Sequence, residues 1–143
     1  MSALVDTPFF SLDGFKTSAV VVKVYDGDTI HVVFDYMGKA FKWNCRISHV
    51  DTPELRTKNA EEKKKGYEVR DKLTELILNK TIQLDCGAFD KYGRLLVEIT
   101  IPETQVRVHE WLIHNGYANP YEGGTKKKFE KTEETASLEQ GKS

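Results

Sequence analysis

The feature that most constrains this chain is a change of hydrophobic period near its middle. Residues 19–25, AVVVKVY, are β-branched and apolar, as a strand requires. Asp26-Gly27 is a turn dipeptide, and 29–34, TIHVVF, supplies the return strand. A second turn at Tyr36, Met37, Gly38 and Lys39 leads into 40–50, which reads as one long third strand, so three consecutive strands form a meander. Beyond them Val69, Leu73, Leu76 and Ile77 fall at i, i+4, i+7 and i+8, the spacing of one helix face. Asn59 is placed to cap that helix, with Glu62 three residues on, and Glu68 is spaced to pair with Lys72. Gly66 is expected to weaken the first turns, so that the firm helix starts near it. Two more strands, 80–86 and 95–101, flank a loop at 87–93, and a second helix over about 106–115 stops at Gly116. This order predicts an α+β fold: a five-stranded barrel of the oligonucleotide-binding (OB) type with helices packed on it.

At 143 residues the chain is sized for one domain, burying roughly 68–70% of its unfolded surface. Residues 1–17 read as a loosely tied arm, 18–130 as the folded domain, and 131–143 as a polar tail. A short third helix is expected from Glu130. No apolar stretch is long enough to cross a bilayer, so no membrane association is expected. The first residues lack a basic start followed by an apolar run, which predicts a cytoplasmic protein, or a secreted mature form whose leader is gone. Cys45 and Cys86 form no C-x-x-C and sit in strand-like runs, as buried free thiols do. A net charge of −1 argues against binding nucleic acid by bulk phosphate neutralisation; a local site must supply the attraction.

Chemistry concentrates in three short segments. Asp26-Gly27-Asp28-Thr29 is, by itself, an ordinary hairpin turn, and Met37 stands where an EF-hand loop needs its closing glutamate. Asp51-Thr52-Pro53-Glu54 ends a strand. Pro53 removes a donor and biases Thr52 toward extended backbone, which can leave the Thr52 carbonyl facing a metal. Asp90-Lys91-Tyr92-Gly93-Arg94 could equally be a charged hairpin loop. Together they offer carboxylates for a hard cation beside arginines for a phosphate, the parts that a phosphodiesterase needs.

Those three segments, D-G-D-T, R-x-x-x-V-D-T-P-E from Arg46 to Glu54, and D-K-Y-G-R, occur in the order and spacing of the staphylococcal nuclease (thermonuclease) family, which the chain resembles from about 18 to 121. The resemblance implies a five-stranded OB-fold barrel with three helices, one Ca²⁺ ion, and hydrolysis of DNA, and of RNA too, with little sequence preference. By the same resemblance Asp28 and Asp51 bind calcium through their side chains and Thr52 through its carbonyl. Arg46 and Arg94 hold the scissile phosphate, and Glu54 orients or deprotonates the attacking water. Lys91 and Tyr92 contact the phosphate on the 3′ side or flank the base, and Tyr121 is matched to a tyrosine near the nucleotide. The cut would leave a 3′-phosphate. A monomer acting on DNA or RNA is expected.

The alternatives are a non-catalytic nucleic-acid-binding OB module and a protein-interaction domain with a structural metal. His109 and His114 bracket an H-E-x-x-x-H run, one residue longer than a zinc-protease motif. At helical spacing their imidazoles would diverge by about 140°, so they cannot share a metal. His49 is read as a packing or hydrogen-bonding residue rather than a base. The lysine runs at 63–65 and 126–128 are read as solvated faces, with phosphate steering as the second reading.

Overall fold

The structure is a computed structural model, which describes residues 2–121. Its elements in order are α1 (Ser2–Val5), β1 (Lys16–Val24), β2 (Thr29–Tyr36), β3 (Lys39–Ile47), β4 (Val50–Asp51), α2 (Ala60–Ile77), β5 (Thr81–Phe89), β6 (Leu95–Ile101), β7 (Val106–Arg107), α3 (Val108–His114) and β8 (Asn119–Pro120). Strands β3, β2, β1, β5 and β6 run side by side as antiparallel neighbours, and a parallel β3–β6 pairing closes them into a five-stranded mixed barrel. Closure leaves these five strands with no long free edge, which removes the aggregation hazard of an open sheet. β7 pairs antiparallel with the end of β6, while β4 and β8 form a separate two-stranded ribbon.

Alternation drives this arrangement. In β2, Ile30, Val32 and Phe34 are buried on one face; β6 does the same with Leu95, Val97, Ile99 and Ile101. The helix face read from the sequence packs on them: Val69, Leu73 and Ile77 are fully buried, and Leu76 is partly so. Each such side chain contributes about 1.5–3 kcal/mol of burial. Val108 and Leu112 of α3 complete the core, and Cys45 and Cys86 lie in it as free thiols, whose pKa values burial raises to about 12 and about 11. Among the described residues no helix is long and apolar enough to cross a membrane.

Several boundaries differ from the sequence expectation. The third strand does not run through to Val50: Ser48 N donates to Val97 O, His49 turns with φ 73°, and Val50–Asp51 pairs with β8 instead. α2 starts at Ala60, not near Gly66. Asn59 caps it by accepting from Glu62 N at 3.0 Å, and Gly66 is buried within the helix. Glu68 pairs with Lys65 at 3.8 Å rather than with Lys72. β5 continues to Phe89 through a bulge after Cys86, and Val106–Arg107 extends the sheet before α3 begins.

The N-terminal segment is also better anchored than a loose arm. Leu12 is buried, Gly14 N donates to Cys86 O, and β1 begins at Lys16, two residues before the expected start. Of the three helices expected, two are α2 and α3; the one placed at Glu130, like the polar tail, lies outside the described residues, and α1 is a single turn.

Candidate active site

The turn after β1 is built around the carboxylate of Asp26. Its Oδ1 accepts from Asp28 N at 3.1 Å and from Thr29 N at 2.9 Å, while Tyr25 N and Asp26 N both donate to Thr29 O. Asp28 O accepts from Ile47 N, so the turn is tied to β3. Gly27 permits this docking, since a Cβ there would stand 2.8 Å from Val69 Cγ1 and 2.9 Å from Thr52 Cβ. Register does the rest: Thr29 sits directly opposite Arg46 across the β2–β3 ladder.

Arg46 is held on three sides. Nη1 donates to Ile47 O and Nη2 to Val50 O, both at 2.9 Å, and Nη2 lies 3.4 Å from Asp28 Oδ2. Its guanidinium carbon is 5.4 Å from the centre of the Tyr121 ring. Two of its five N–H donors thus go to backbone carbonyls, which fixes the plane of the fork. Arg94 is fixed differently. Asp90 accepts from Arg94 N through Oδ1 and from Arg94 Nε through Oδ2, each at 2.9 Å, and Arg94 Nη1 donates to Thr29 Oγ1 at 3.2 Å. Thr29 Oγ1 in turn donates to Asp28 Oδ1 at 3.2 Å. One unbroken chain, Arg46–Asp28–Thr29–Arg94–Asp90, therefore spaces the two guanidiniums.

β4 ends at Asp51, with Thr52 next to it; they are 5% and 3% exposed, and Glu54 follows them at the surface. α2 clamps this loop. Glu54 N donates to Glu62 Oε2, and a Cβ on Gly66 would meet Leu55 Cδ2 at 2.7 Å, Glu54 O at 3.1 Å and Pro53 O at 3.2 Å. Gly66 is therefore a point of close approach, which is why the helix keeps it despite its poor propensity. On the opposite wall Tyr92 is exposed, with Lys91 Nζ 5.3 Å and Arg94 Cζ 5.6 Å from its ring centre.

These segments enclose a cleft of about 600 Å³. Asp28, Arg46, Asp51, Thr52, Glu54, Lys91, Tyr92, Arg94 and Tyr121, the nine residues singled out from the sequence, all line it, together with Asp26, Pro53, Asp90 and Leu96. Tyr121 N donates to His49 O, which brings its ring over Arg46. Sequence reasoning missed three residues that shape the site: Asp26, Thr29 and Asp90. Each lay inside a quoted motif; the missing signal was the hydrogen bonding that makes one acid of a D-G-D-T a scaffold and the other a ligand candidate. Burial, and then the neighbouring Asp28 charge, raise the Asp26 pKa to about 6.

His49 does not line the cleft. Its Nε2 lies 2.8 Å from Glu98 Oε2, and this hydrogen bond, more than the one from Arg107, holds the Glu98 carboxyl below its usual range. His114 is exposed, whereas His109 is buried.

The family model for staphylococcal nuclease homologues matches residues 44–142. The chain belongs to that family. An uncharacterized protein of Methanocaldococcus jannaschii is 31% identical over 71% of this chain and 58% of its own length. A protein of Escherichia coli named as an uncharacterized endonuclease is 31% identical over 71% of this chain and 60% of its own. Endonuclease YhcR of Bacillus subtilis is 33% identical, with 71% of this chain matching 9% of that protein. The chain thus spans 60% or less of the length of each of these relatives. The match in this nuclease-homologue domain begins within β3, whereas the barrel also takes β1, β2 and the Asp26–Thr29 turn from the residues before it.

The donor chemistry of the cleft fits a calcium ion. Two carboxylates, Asp28 and Asp51, line one hollow with Thr52, whose carbonyl is a further hard oxygen donor. Among the described residues no group of three or more His, Cys, Asp or Glu is gathered at metal-binding spacing. An ion held here would complete its shell with water, as calcium tolerates.

Proposed function

We propose that this member of the staphylococcal nuclease family is a calcium-dependent hydrolase of phosphodiester bonds in DNA and RNA, with little sequence preference, acting as a cytoplasmic monomer. The observation that carries the proposal is the convergence of Asp28, Arg46, Asp51, Thr52, Glu54 and Arg94, drawn from separate segments, on one cleft. Carboxylates alone would repel a phosphodiester, and arginines alone would only bind it. Both sets side by side suit a reaction that builds charge at phosphorus.

In this reading Asp28, Asp51 and the Thr52 carbonyl would hold calcium, and the bound ion would supply positive charge toward the phosphate. Arg46 and Arg94, spaced by Thr29 and Asp28, oppose the charge that develops on the same oxygens. Glu54, exposed at the mouth, accepts a proton from the water that adds to phosphorus. The P–O5′ bond breaks, the departing oxygen is protonated from solvent, and a 3′-phosphate remains. Lys91, Tyr92 and Tyr121 flank the nucleotide. The named residues address phosphate and sugar, which favours indifference to sequence.

Incubating the protein with single-stranded DNA and RNA, first with calcium and then with a chelator, tests the proposal. Cleavage with calcium that stops with chelator supports it. Tight binding without cleavage under both conditions would instead favour the non-catalytic binding module.

A further inference from the structure

A second hollow adjoins the cleft and is unlike it in charge. It encloses about 750 Å³, and its charged lining is five cations, Lys23, Arg56, Lys58, Lys63 and Arg70, with no carboxylate among the lining residues. Arg70 bonds to Asp71, but Lys23, Arg56, Lys58 and Lys63 make no ion pair among the described residues. Tyr25 and Tyr67 also line it, 43% and 40% exposed. Each ring carries a cation: Lys23 Nζ lies 5.9 Å from the centre of Tyr25, and Arg70 Cζ 4.7 Å from that of Tyr67.

The groove meets the cleft at two places in the backbone. Tyr25 precedes Asp26, and Leu55 and Arg56 follow Glu54. A chain whose net charge is −1 has thus gathered unneutralised cations from β1, the loop after β4, and α2 beside its candidate active site.

We infer that this groove is a subsite for the flanking nucleotides of a single-stranded nucleic acid whose scissile phosphate lies in the cleft. Cations that are not paired attract a backbone phosphate at each step, and exposed tyrosine rings offer stacking faces to bases. Bases in a duplex are hidden from such rings, which is why the occupant is single-stranded. The inference rests on the nuclease reading for its scissile phosphate, but binding to the groove needs no turnover. It makes the protein prefer long single strands to short ones, with the groove setting affinity and the cleft setting rate. OB-type barrels cover on the order of 4–16 nucleotides, and cleft plus groove suit the lower part of that range.

The test compares wild type with a Lys23→Gln, Arg56→Gln, Lys58→Gln triple variant, all exposed positions outside the cleft. Anisotropy of a labelled single-stranded dodecanucleotide, with chelator present, gives affinity as salt is varied. Each lost phosphate contact lowers the slope of log K against log salt by about 0.7, so the variant is expected to lose about two from the slope and to bind more than tenfold more weakly at moderate salt. Cleavage of a dinucleotide, too short to reach the groove, keeps its kcat/KM. A Tyr25→Ala, Tyr67→Ala variant is expected to lose about thirtyfold or more on the dodecanucleotide and nothing on its abasic counterpart.

Unchanged slope and affinity in the triple variant overturn the subsite. So do equal losses on dinucleotide and dodecanucleotide, or wild-type binding of duplex as tight as single strand. Loss of slope in a protein that never cleaves either substrate upholds the groove and overturns the nuclease reading, so the two failures are distinct.

Discussion

Two hollows touch at residues 25–26 and 54–55, and they are built on opposite electrostatic plans. The cleft sets five carboxylates, Asp26, Asp28, Asp51, Glu54 and Asp90, against three cations, Arg46, Lys91 and Arg94. Two of those cations already face partners, Asp28 and Asp90, at 3.4 and 2.9 Å. The groove holds five cations and no carboxylate. An anionic polymer therefore gains little from approaching the cleft and much from approaching the groove. The difference teaches that positioning and attraction are separate tasks here. In the proposed reading, fixed, paired charges define the geometry of a reaction, and unpaired charges concentrate the substrate.

That contrast can be broken most sharply at Glu54. Replacing it by Gln is expected to lower kcat by about 10²–10⁴, the usual worth of a general base, with affinity for the dodecanucleotide unchanged. Turnover equal to wild type would remove Glu54 from the chemistry.

Arg94→Ala comes next, with an expected loss of about 10²–10³ in kcat, as for deletion of one donor to a developing oxyanion. Its effect on binding an uncleaved nucleotide should be much smaller, and parallel losses in kcat and affinity would place Arg94 with the groove cations instead.

A smaller effect comes from the seam between the two regions. Gly66→Ala gains about 1 kcal/mol in helix propensity. It also forces a methyl group against the 53–55 loop, for which overpacking costs about 1–3 kcal/mol. A net loss of about 1 kcal/mol in urea unfolding, with a reduced kcat, is expected. A gain in stability with normal kcat would show that the loop yields.

The smallest effect concerns Asp26, whose pKa rises from 3.8 to about 6 on folding. Below pH 4 the carboxyl is protonated in both states and the strain vanishes. Between pH 4 and 6 it ionises only in the unfolded chain, which draws the equilibrium toward unfolding; above pH 6 the full penalty stands. Asp26→Asn keeps an oxygen for the Asp28 and Thr29 amides and removes the charge. Discounted for partial solvent exposure, the gain is on the order of 1–2 kcal/mol above pH 7, fading to nothing below pH 4. Denaturant midpoints across that range would measure it, and a gain independent of pH would rule the charge out as its source.

Much of the fold and of the cleft could be read from the sequence because both are written in local signals. β-branched alternation marks the strands, Asn59 with Glu62 marks the helix start, and three compact motifs mark the cleft. What could not be read depends on who lies across the gap. Alternation breaks at Ser48-His49, where two polar residues separate Ile47 from Val50, but the break does not say that Val50 leaves the barrel for Pro120. Gly66 reads as a weak point by propensity, whereas its role is contact with a distant loop. The groove was hidden for the same reason. The run at 63–65 drew notice, but only Lys63 of it lines the hollow, and the other cations come one or two at a time from separate segments.

The pairing of Val50–Asp51 with Asn119–Pro120 has a temporal consequence. During synthesis the meander and even α2 emerge well before the strand that steadies Asp51. A nascent chain can therefore fold most of its framework while one of its proposed calcium donors still lacks its ribbon partner.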